Sequence, residues 1–158
     1  MTHYDPTISS GYLNSAFSPK SLPEIVNQIV KFLGRPYRRK TFDSIVVRGV
    51  SGMLVGSPVA YRMKLPLVVV RKSDGNHSGQ SVEGYTYVKN YVVIDDFVSS
   101  GDTINEIRAK MQGYNSAKMT GLVVYAAYGT NVYQAHSNCW NSWIKKVGVE
   151  NNFFKPKK

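Results

Sequence analysis

The sequence predicts an α/β protein in which helices cover both faces of a parallel β-sheet. Four short apolar runs, rich in β-branched residues, carry this prediction, and they occupy residues 44–47, 67–70, 91–94 and 119–127. Helical patterns lie between several of the runs, and the runs are apolar throughout instead of alternating with polar residues. Strands that are buried on both faces have this pattern, because helices cover each side of the sheet.

The first predicted element is an amphipathic helix that begins near Ser21. Ser21 and Glu24 have the spacing of a capping box, in which two side chains satisfy the first backbone N–H groups of a helix. Apolar residues then recur at helical spacing, and Gly34 marks the end of the helix. The apolar positions are Ile25, Ile29, Val30 and Leu33.

Two further helices are predicted between the strands, at residues 52–63 and 102–112. Pro58 is expected to kink the first helix, because proline has no N–H to donate within a helix. In the second, Glu106 and Lys110 form a favourable i,i+4 pair, and Asp102 is expected to be the N-cap. The apolar face of this helix contains Ile104, Ile107 and Met111.

Length and composition favour a single domain over residues 1–158. Hydrophobic residues make up 42% of the chain, and Cys139 is its single cysteine, so disorder and a disulfide framework are both excluded. The chain begins without the basic segment and apolar run of a signal peptide, and no run approaches the ~18 apolar residues of a membrane span. We therefore expect a cytoplasmic protein without membrane association.

The charge balance points to a polyanionic partner. Twenty Lys and Arg residues against ten Asp and Glu residues give a formal net charge of +10. A nucleic acid, an anionic surface and a polyphosphorylated small molecule all fit this excess. Nucleic acid is less favoured, because the sequence contains no recognition helix or aromatic RNA motif. Basic residues concentrate in two segments, 35–40 and 155–158.

The most informative residues follow the run 91–94. In open parallel sheets, ligands bind at the carboxyl ends of the strands. Here Asp95 and Asp96 lead into a loop of Ser, Gly and Thr that opens a helix, and such a loop holds a phosphate with its N–H groups and hydroxyls. The two carboxylates fit sugar hydroxyls, or a divalent cation held through water. The alternative, an acidic turn, leaves the cost of burying two acids unexplained.

Residues 91–103 resemble the signature of the type I phosphoribosyltransferases. In that signature four apolar residues precede Asp-Asp, two apolar residues, two small hydroxyl residues, Gly, a variable residue and Thr. The resemblance implies that Asp95 and Asp96 bind the ribose hydroxyls of phosphoribosyl pyrophosphate (PRPP) and hold Mg²⁺ through water. The loop that would bind the 5′-phosphate comprises Val98, Ser99, Ser100, Gly101, Asp102 and Thr103.

Two other strand ends resemble loops of the same family. Residues 46–52, with Arg48 and Gly49, are similar to the pyrophosphate loop, where Gly49 and Gly52 would supply conformational freedom. Residues 56–61 are similar to the helix that follows this loop in adenine-type members, which would account for Pro58.

Residues 69–79 resemble the flexible catalytic loop of orotate-type members. Arg71 and Lys72 would contact the pyrophosphate, and His77 would transfer a proton or stabilise the leaving group. The alternative for His77 is a solvated loop histidine. Gly75 stands where the orotate enzymes have a further lysine, so orotate-like and adenine-like features are mixed.

The family resemblance also implies a hood over a core of about residues 42–129. Residues 1–41 and 130–158 would build this hood, which selects the nucleobase, and relatives are commonly homodimers. Tyr133, His136, Trp140 and Trp143 are aromatic candidates for stacking on a base. The favoured alternative is that Trp140 and Trp143 lie on a short helix and pin it to the core.

The activity that the resemblance implies is transfer of ribose 5-phosphate from PRPP to a nucleobase, with release of pyrophosphate. Carboxylates near the sugar and cations near the diphosphate have the signs that an oxocarbenium-like transition state requires. The alternative is a regulatory protein of the same fold that binds PRPP or a nucleotide, with nucleic acid as a further partner.

Overall fold

A six-stranded sheet forms the centre of the fold. The computed structural model describes residues 13–72, 79–96, 98, 101–126 and 143–147. Within these residues the strand order is β3-β2-β1-β4-β5-β6, and all neighbours are parallel except the antiparallel pair β2 and β3. The strands are β1 (Ser44–Arg48), β2 (Leu67–Val70), β3 (Val82–Gly84), β4 (Asn90–Asp95), β5 (Lys118–Val124) and β6 (Trp143–Lys146).

Helices cover both faces of this sheet, which confirms the predicted fold class. The helices are α1 (Asn14–Phe17), α2 (Ser21–Leu33), α3 (Pro36–Arg39), α4 (Gly49–Met63) and α5 (Asp102–Gly113). In β1, Ile45 and Val47 pack in the cluster that contains residues of α2 and α4, whereas Val46 packs in the cluster that contains residues of α5. Successive strand residues therefore enter two different apolar layers, so both must be apolar.

Both predicted N-caps are wrong. The N-cap of α2 is Lys20 and makes no side-chain cap, because the chain already turns at Ser18, whose carbonyl oxygen accepts the Leu22 N–H at 2.9 Å. The N-cap of α5 is Gly101, and Asp102 is the first residue of the helix. The φ of Gly101 is 91°, a left-handed conformation that glycine adopts more readily than aspartate.

Helix α4 begins three residues earlier than predicted and continues through Pro58. Gly49 has a φ of 69°, as expected of a turn that requires glycine. The role predicted for Gly52 is wrong, because Gly52 lies inside the helix, where a Cβ would lie 3.1 Å from both Ile94 O and Val47 Cβ. Gly52 therefore allows α4 to pack closely on β1 and β4.

The described residues within 1–41 and 130–158, the ranges predicted to build the hood, contribute to the core. Ile25, Ile29 and Leu33 of α2 are fully buried in the cluster on the α4 face of the sheet. Trp143 begins β6, so the short helix predicted for it is wrong. It pairs with Gly121 of β5, and its indole ring occupies the space that a side chain at residue 121 would fill. A hood built from the rest of these ranges stays a prediction, and Tyr133, His136 and Trp140 lie outside the described residues.

Trp143 nevertheless packs against the core, as the favoured alternative expected. Its ring meets Phe32 of α2 edge-on, with centroids 5.3 Å apart. None of the described helices is both long and apolar enough to cross a membrane.

Candidate functional site

The carboxyl ends of β2, β1 and β4 lie side by side in the sheet. This order brings together three of the predicted groups: the cations Arg71 and Lys72 after β2, Arg48 and Gly49 after β1, and Asp95 with Asp96 at the end of β4. In the predicted phosphate loop that follows, Val98 and Gly101 are buried, Thr103 is half-buried and Asp102 is exposed. The predicted residues His77, Ser99 and Ser100 lie outside the described part of the chain.

Asp95 and Asp96 form a buried acidic pair. Their exposures are 5% and 9%, and they are two of the three buried polar residues of the described chain. Oδ1 of Asp95 accepts hydrogen bonds from the backbone N–H of Asp96 at 2.9 Å and from the hydroxyl of Ser51 at 3.3 Å. Burial, together with the neighbouring charge of Asp96, raises the pKa of Asp95 to about 7.

Two residues that sequence reasoning missed hold this pair in place. The Tyr125 hydroxyl donates a hydrogen bond to the backbone carbonyl of Ser51, and Ser51 donates to Asp95. The backbone N–H groups of Tyr125 and Ala126 donate to the carbonyl oxygen of Asp96 at 3.1 and 2.8 Å. The start of α4 and the ends of β4 and β5 are therefore tied together. A tyrosine at the end of an apolar run was the signal available in the sequence.

Glu106 on α5 connects two of the strand-end loops. Its carboxylate pairs with Arg48 at 2.9 Å and with Lys110 at 3.4 Å, as predicted for the i,i+4 pair. Lys110 also donates to the backbone carbonyl of Arg71 at 3.0 Å. The Arg48 side chain is only 13% exposed, and its ion pair with Glu106 ties it to α5, the helix that follows the predicted phosphate loop.

A groove of about 480 Å³ opens between the start of α4 and the end of β2. Gly49, Met53, Arg71 and Lys72 are among the residues that line it. Lys72 lies against the Gly49 turn, because a Cβ built at residue 49 would be 3.3 Å from Cε of Lys72. Arg71 forms an ion pair with Glu83 at 2.7 Å. Two cations and the positive end of α4 therefore face one groove, which suits a bound anion.

The described residues contain no cluster of three or more His, Cys, Asp or Glu side chains that would enclose a metal ion. Mg²⁺ does not need such a cage, because it keeps several waters and takes one or two carboxylates together with substrate phosphates. The acidic pair supplies two carboxylates beside the predicted phosphate loop, so its donor set fits this mode of binding.

The raised pKa of Asp95 makes stability depend on pH. Between its ordinary pKa of 3.8 and about 7, the folded protein holds a proton that the unfolded chain releases. The contribution of Asp95 to stability is therefore greatest below about pH 4 and is lost as the pH rises through 7. In urea denaturation, we expect the wild-type free energy of unfolding to fall across this range relative to that of Asp95→Asn. Parallel curves for the two proteins would contradict the assignment.

Removing the Glu106 charge should destabilise the protein mainly through Arg48. Glu106→Gln leaves the largely buried Arg48 without its ion pair, whereas Lys110→Gln keeps that pair and removes the contacts of Lys110 with Glu106 and with the Arg71 carbonyl. We expect Glu106→Gln to lower the midpoint of thermal unfolding by about 2–4 °C, the effect of ~1 kcal/mol in a domain of this size. Lys110→Gln is the matched control, and an equal or larger loss in that variant would refute the role of Arg48.

Comparison with known proteins gives sequence relatives and structural neighbours. A HGPRTase-like protein of Halorhabdus utahensis is 30% identical over 108 residues, which are 60% of this chain and 57% of that protein. The match thus spans less than two thirds of the relative's length. No protein-family model matches the chain.

Solved structures share the fold, among them an adenine and an orotate phosphoribosyltransferase. The adenine phosphoribosyltransferase of Leishmania donovani superposes with a TM-score of 0.64 at 16% identity, covering 85% of this chain and 67% of that chain. The orotate phosphoribosyltransferase of Francisella tularensis superposes with a TM-score of 0.62 at 16% identity, covering 83% of this chain and 67% of that chain. At these identities the likeness establishes the architecture, and function has to be argued from the site.

Proposed function

We propose that the chain, which is similar to phosphoribosyltransferases in its fold and its sequence relatives, is a type I phosphoribosyltransferase that transfers ribose 5-phosphate from PRPP to a nucleobase. In this reaction the bond from ribose C1 to pyrophosphate oxygen breaks, a bond from C1 to a base nitrogen forms, and the base releases a proton. The observation that carries the proposal is the buried acidic pair at the end of β4, between a phosphate loop and a cationic groove.

The acidic pair suits the sugar end of PRPP. Carboxylates accept hydrogen bonds from vicinal hydroxyls, and burial strengthens such bonds because little water competes. Gly101 turns the chain at the start of α5, so the N–H groups and the positive end of this helix lie directly after the acidic pair. We assign the 5′-phosphate to this helix start, with Ser99, Ser100 and Thr103 as further ligands.

The cationic groove suits the diphosphate end. Arg71 and Lys72 border the groove, and the Gly49 turn presents the first backbone groups of α4 to it. As the bond to pyrophosphate breaks, negative charge grows on the diphosphate and positive charge grows on the ribose, so cations at one end and carboxylates at the other stabilise the same transition state. Arg48 acts indirectly at the other end, where it holds α5, the helix whose start we assign to the 5′-phosphate. His77 remains our candidate for stabilising the leaving group.

Mg²⁺ would enter as part of the PRPP complex and would neutralise charge on the diphosphate. Asp95 and Asp96 are the residues that would hold it, through water. The nucleobase would bind at a hood formed by the remaining residues of the two terminal ranges. We also propose that the active form is a homodimer, as in many members of the family.

A turnover assay tests the proposal directly. The protein is incubated with PRPP, Mg²⁺ and each of adenine, guanine, hypoxanthine, xanthine, uracil and orotate, and pyrophosphate release is measured. We expect release with at least one base and none without a base. If PRPP stabilises the protein thermally but no base supports turnover, the chain is the regulatory PRPP-binding protein and not a transferase. The absence of both would refute the PRPP site itself.

A further inference from the structure

A second cavity lies at the opposite end of β4 from the acidic pair. Its volume is about 570 Å³, and it opens between α5 and the beginnings of β4 and β5. Tyr91, the second residue of β4, lines it, whereas Asp95 is the last residue of that strand. Four residues of extended chain separate the two positions by roughly 13 Å. We call this cavity, lined by Tyr91, Arg108, Gln112, Lys118 and Met119 among others, the α5 cavity.

The hydroxyl of Tyr91 is buried without a hydrogen-bond partner. Tyr91 is fully buried, and its hydroxyl is one of two buried side-chain polar atoms in the described residues that lack a partner. Native proteins rarely leave such a group unsatisfied, so each case requires an explanation. Burial raises the pKa of Tyr91, although the positive charge of Arg108 acts to lower it. The hydroxyl is therefore protonated and is available as a donor.

The charged residues that line the α5 cavity all have the same sign. Arg108 and Lys118 line the cavity, and neither takes part in the ion pairs found among the described residues. No carboxylate belongs to the lining, while Ala109, Ala117 and Met119 give it an apolar part. Arg and Lys only donate hydrogen bonds, and the hydroxyl needs an acceptor. A ligand that brings acceptor oxygens and negative charge would satisfy all three groups.

We propose that the α5 cavity binds a small organic anion, a carboxylate or a phosphate monoester. Its oxyanion accepts a hydrogen bond from the Tyr91 hydroxyl and pairs with Arg108 and Lys118. Its apolar portion lies against Ala117 and Met119. This site is separate from the one that the proposed function uses, and its existence does not depend on that function.

Phenyl phosphate and benzoate are suitable probes, because each joins one anionic group to an apolar ring. Each is titrated into the ¹⁵N-labelled full chain while amide chemical shifts are followed, with neutral benzamide as the uncharged comparison. We expect saturable shifts at the starts of β4 and β5 and along α5, and none with benzamide. The stronger probe distinguishes a phosphate ester from a carboxylate. Shifts confined to the strand-end loops, equal shifts with benzamide, or no saturation would overturn the proposal.

Three variants complete the test. Arg108→Gln should weaken binding at least tenfold, because it removes one of the two cations that line the cavity. Tyr91→Phe should weaken binding and also raise the unfolding temperature of the free protein, since it removes an unsatisfied polar atom. Lys31→Gln, on α2 at the other face of the sheet, is the matched control and should leave the affinity unchanged. Unaltered affinity in Arg108→Gln, or a lower unfolding temperature in Tyr91→Phe, would contradict the assignment.

Discussion

Replacing Asp95 by asparagine is expected to abolish PRPP binding while the fold is retained. Above about pH 7, where Asp95 is ionised, the substitution removes a negative charge that, in our proposal, accepts hydrogen bonds from the ribose hydroxyls. Two charge-assisted hydrogen bonds at about 1.5 kcal/mol each correspond to a loss of roughly 100-fold or more in affinity. The fold should survive, because the Ser51 hydroxyl and the Asp96 N–H both donate to Oδ1, and asparagine keeps that oxygen.

Isothermal titration of the Mg²⁺–PRPP complex into wild type, Asp95→Asn and Asp96→Asn measures this effect. Asp43→Asn is the matched control, since Asp43 is also a carboxylate, but it accepts the N–H groups of Lys89 and Asn90 near the start of β4. The control should bind PRPP with wild-type affinity. If Asp95→Asn and Asp96→Asn both keep that affinity, the ribose is not bound by the acidic pair.

Replacing Gly56 by alanine is expected to have the largest effect on stability. Gly56 lies in α4 directly above β1, and a Cβ there would overlap Cγ1 of Val47. Val47 is fully buried and β-branched, so its side chain has little freedom to move aside. Overpacking of this kind costs about 1–3 kcal/mol. It would also push α4, and with it the Gly49 turn, away from the sheet.

Gly113→Ala is the matched control for this substitution. Gly113 is the last residue of α5, and a Cβ there would meet no atom within 4 Å. Alanine favours a helix over glycine by up to about 1 kcal/mol, so this variant should be as stable as wild type or more stable. Urea denaturation of both variants gives the comparison. Equal stabilities of Gly56→Ala and Gly113→Ala would show that α4 does not pack on β1 as described.

The strands at the centre of the sheet could be predicted because their pattern is local. β1, β2 and β4 are continuous apolar runs, and runs of that kind predict burial without knowledge of neighbours. β3 and β6 carry no such pattern. The three residues of β3 form a strand because Val82–Gly84 pairs back onto β2, and β6 includes two lysines in its four residues. Tertiary pairing, which a local pattern does not contain, decides these strands.

The candidate site, like the sheet, could be predicted only in part from the sequence. Asp95, Asp96 and the loop that follows could be identified because they are consecutive in the chain and form a specific motif. The contacts that support them join residues far apart in sequence, 44 positions for Ser51 and Asp95 and 74 for Tyr125 and Ser51. Arg48 shows the same limit: its position after β1 indicated a role at the anion, whereas its side chain pairs with Glu106 on α5.

The position of β6 in the sheet has a consequence for aggregation. Among the described strands, β6 has a neighbour on one side only, so its other side could template pairing with a second chain. Lys145 and Lys146, both exposed, occupy the second half of this strand. Lysines on an outer strand oppose the addition of another molecule through charge repulsion. Part of the chain's basic excess thus protects a sheet edge and needs no polyanionic ligand to explain it.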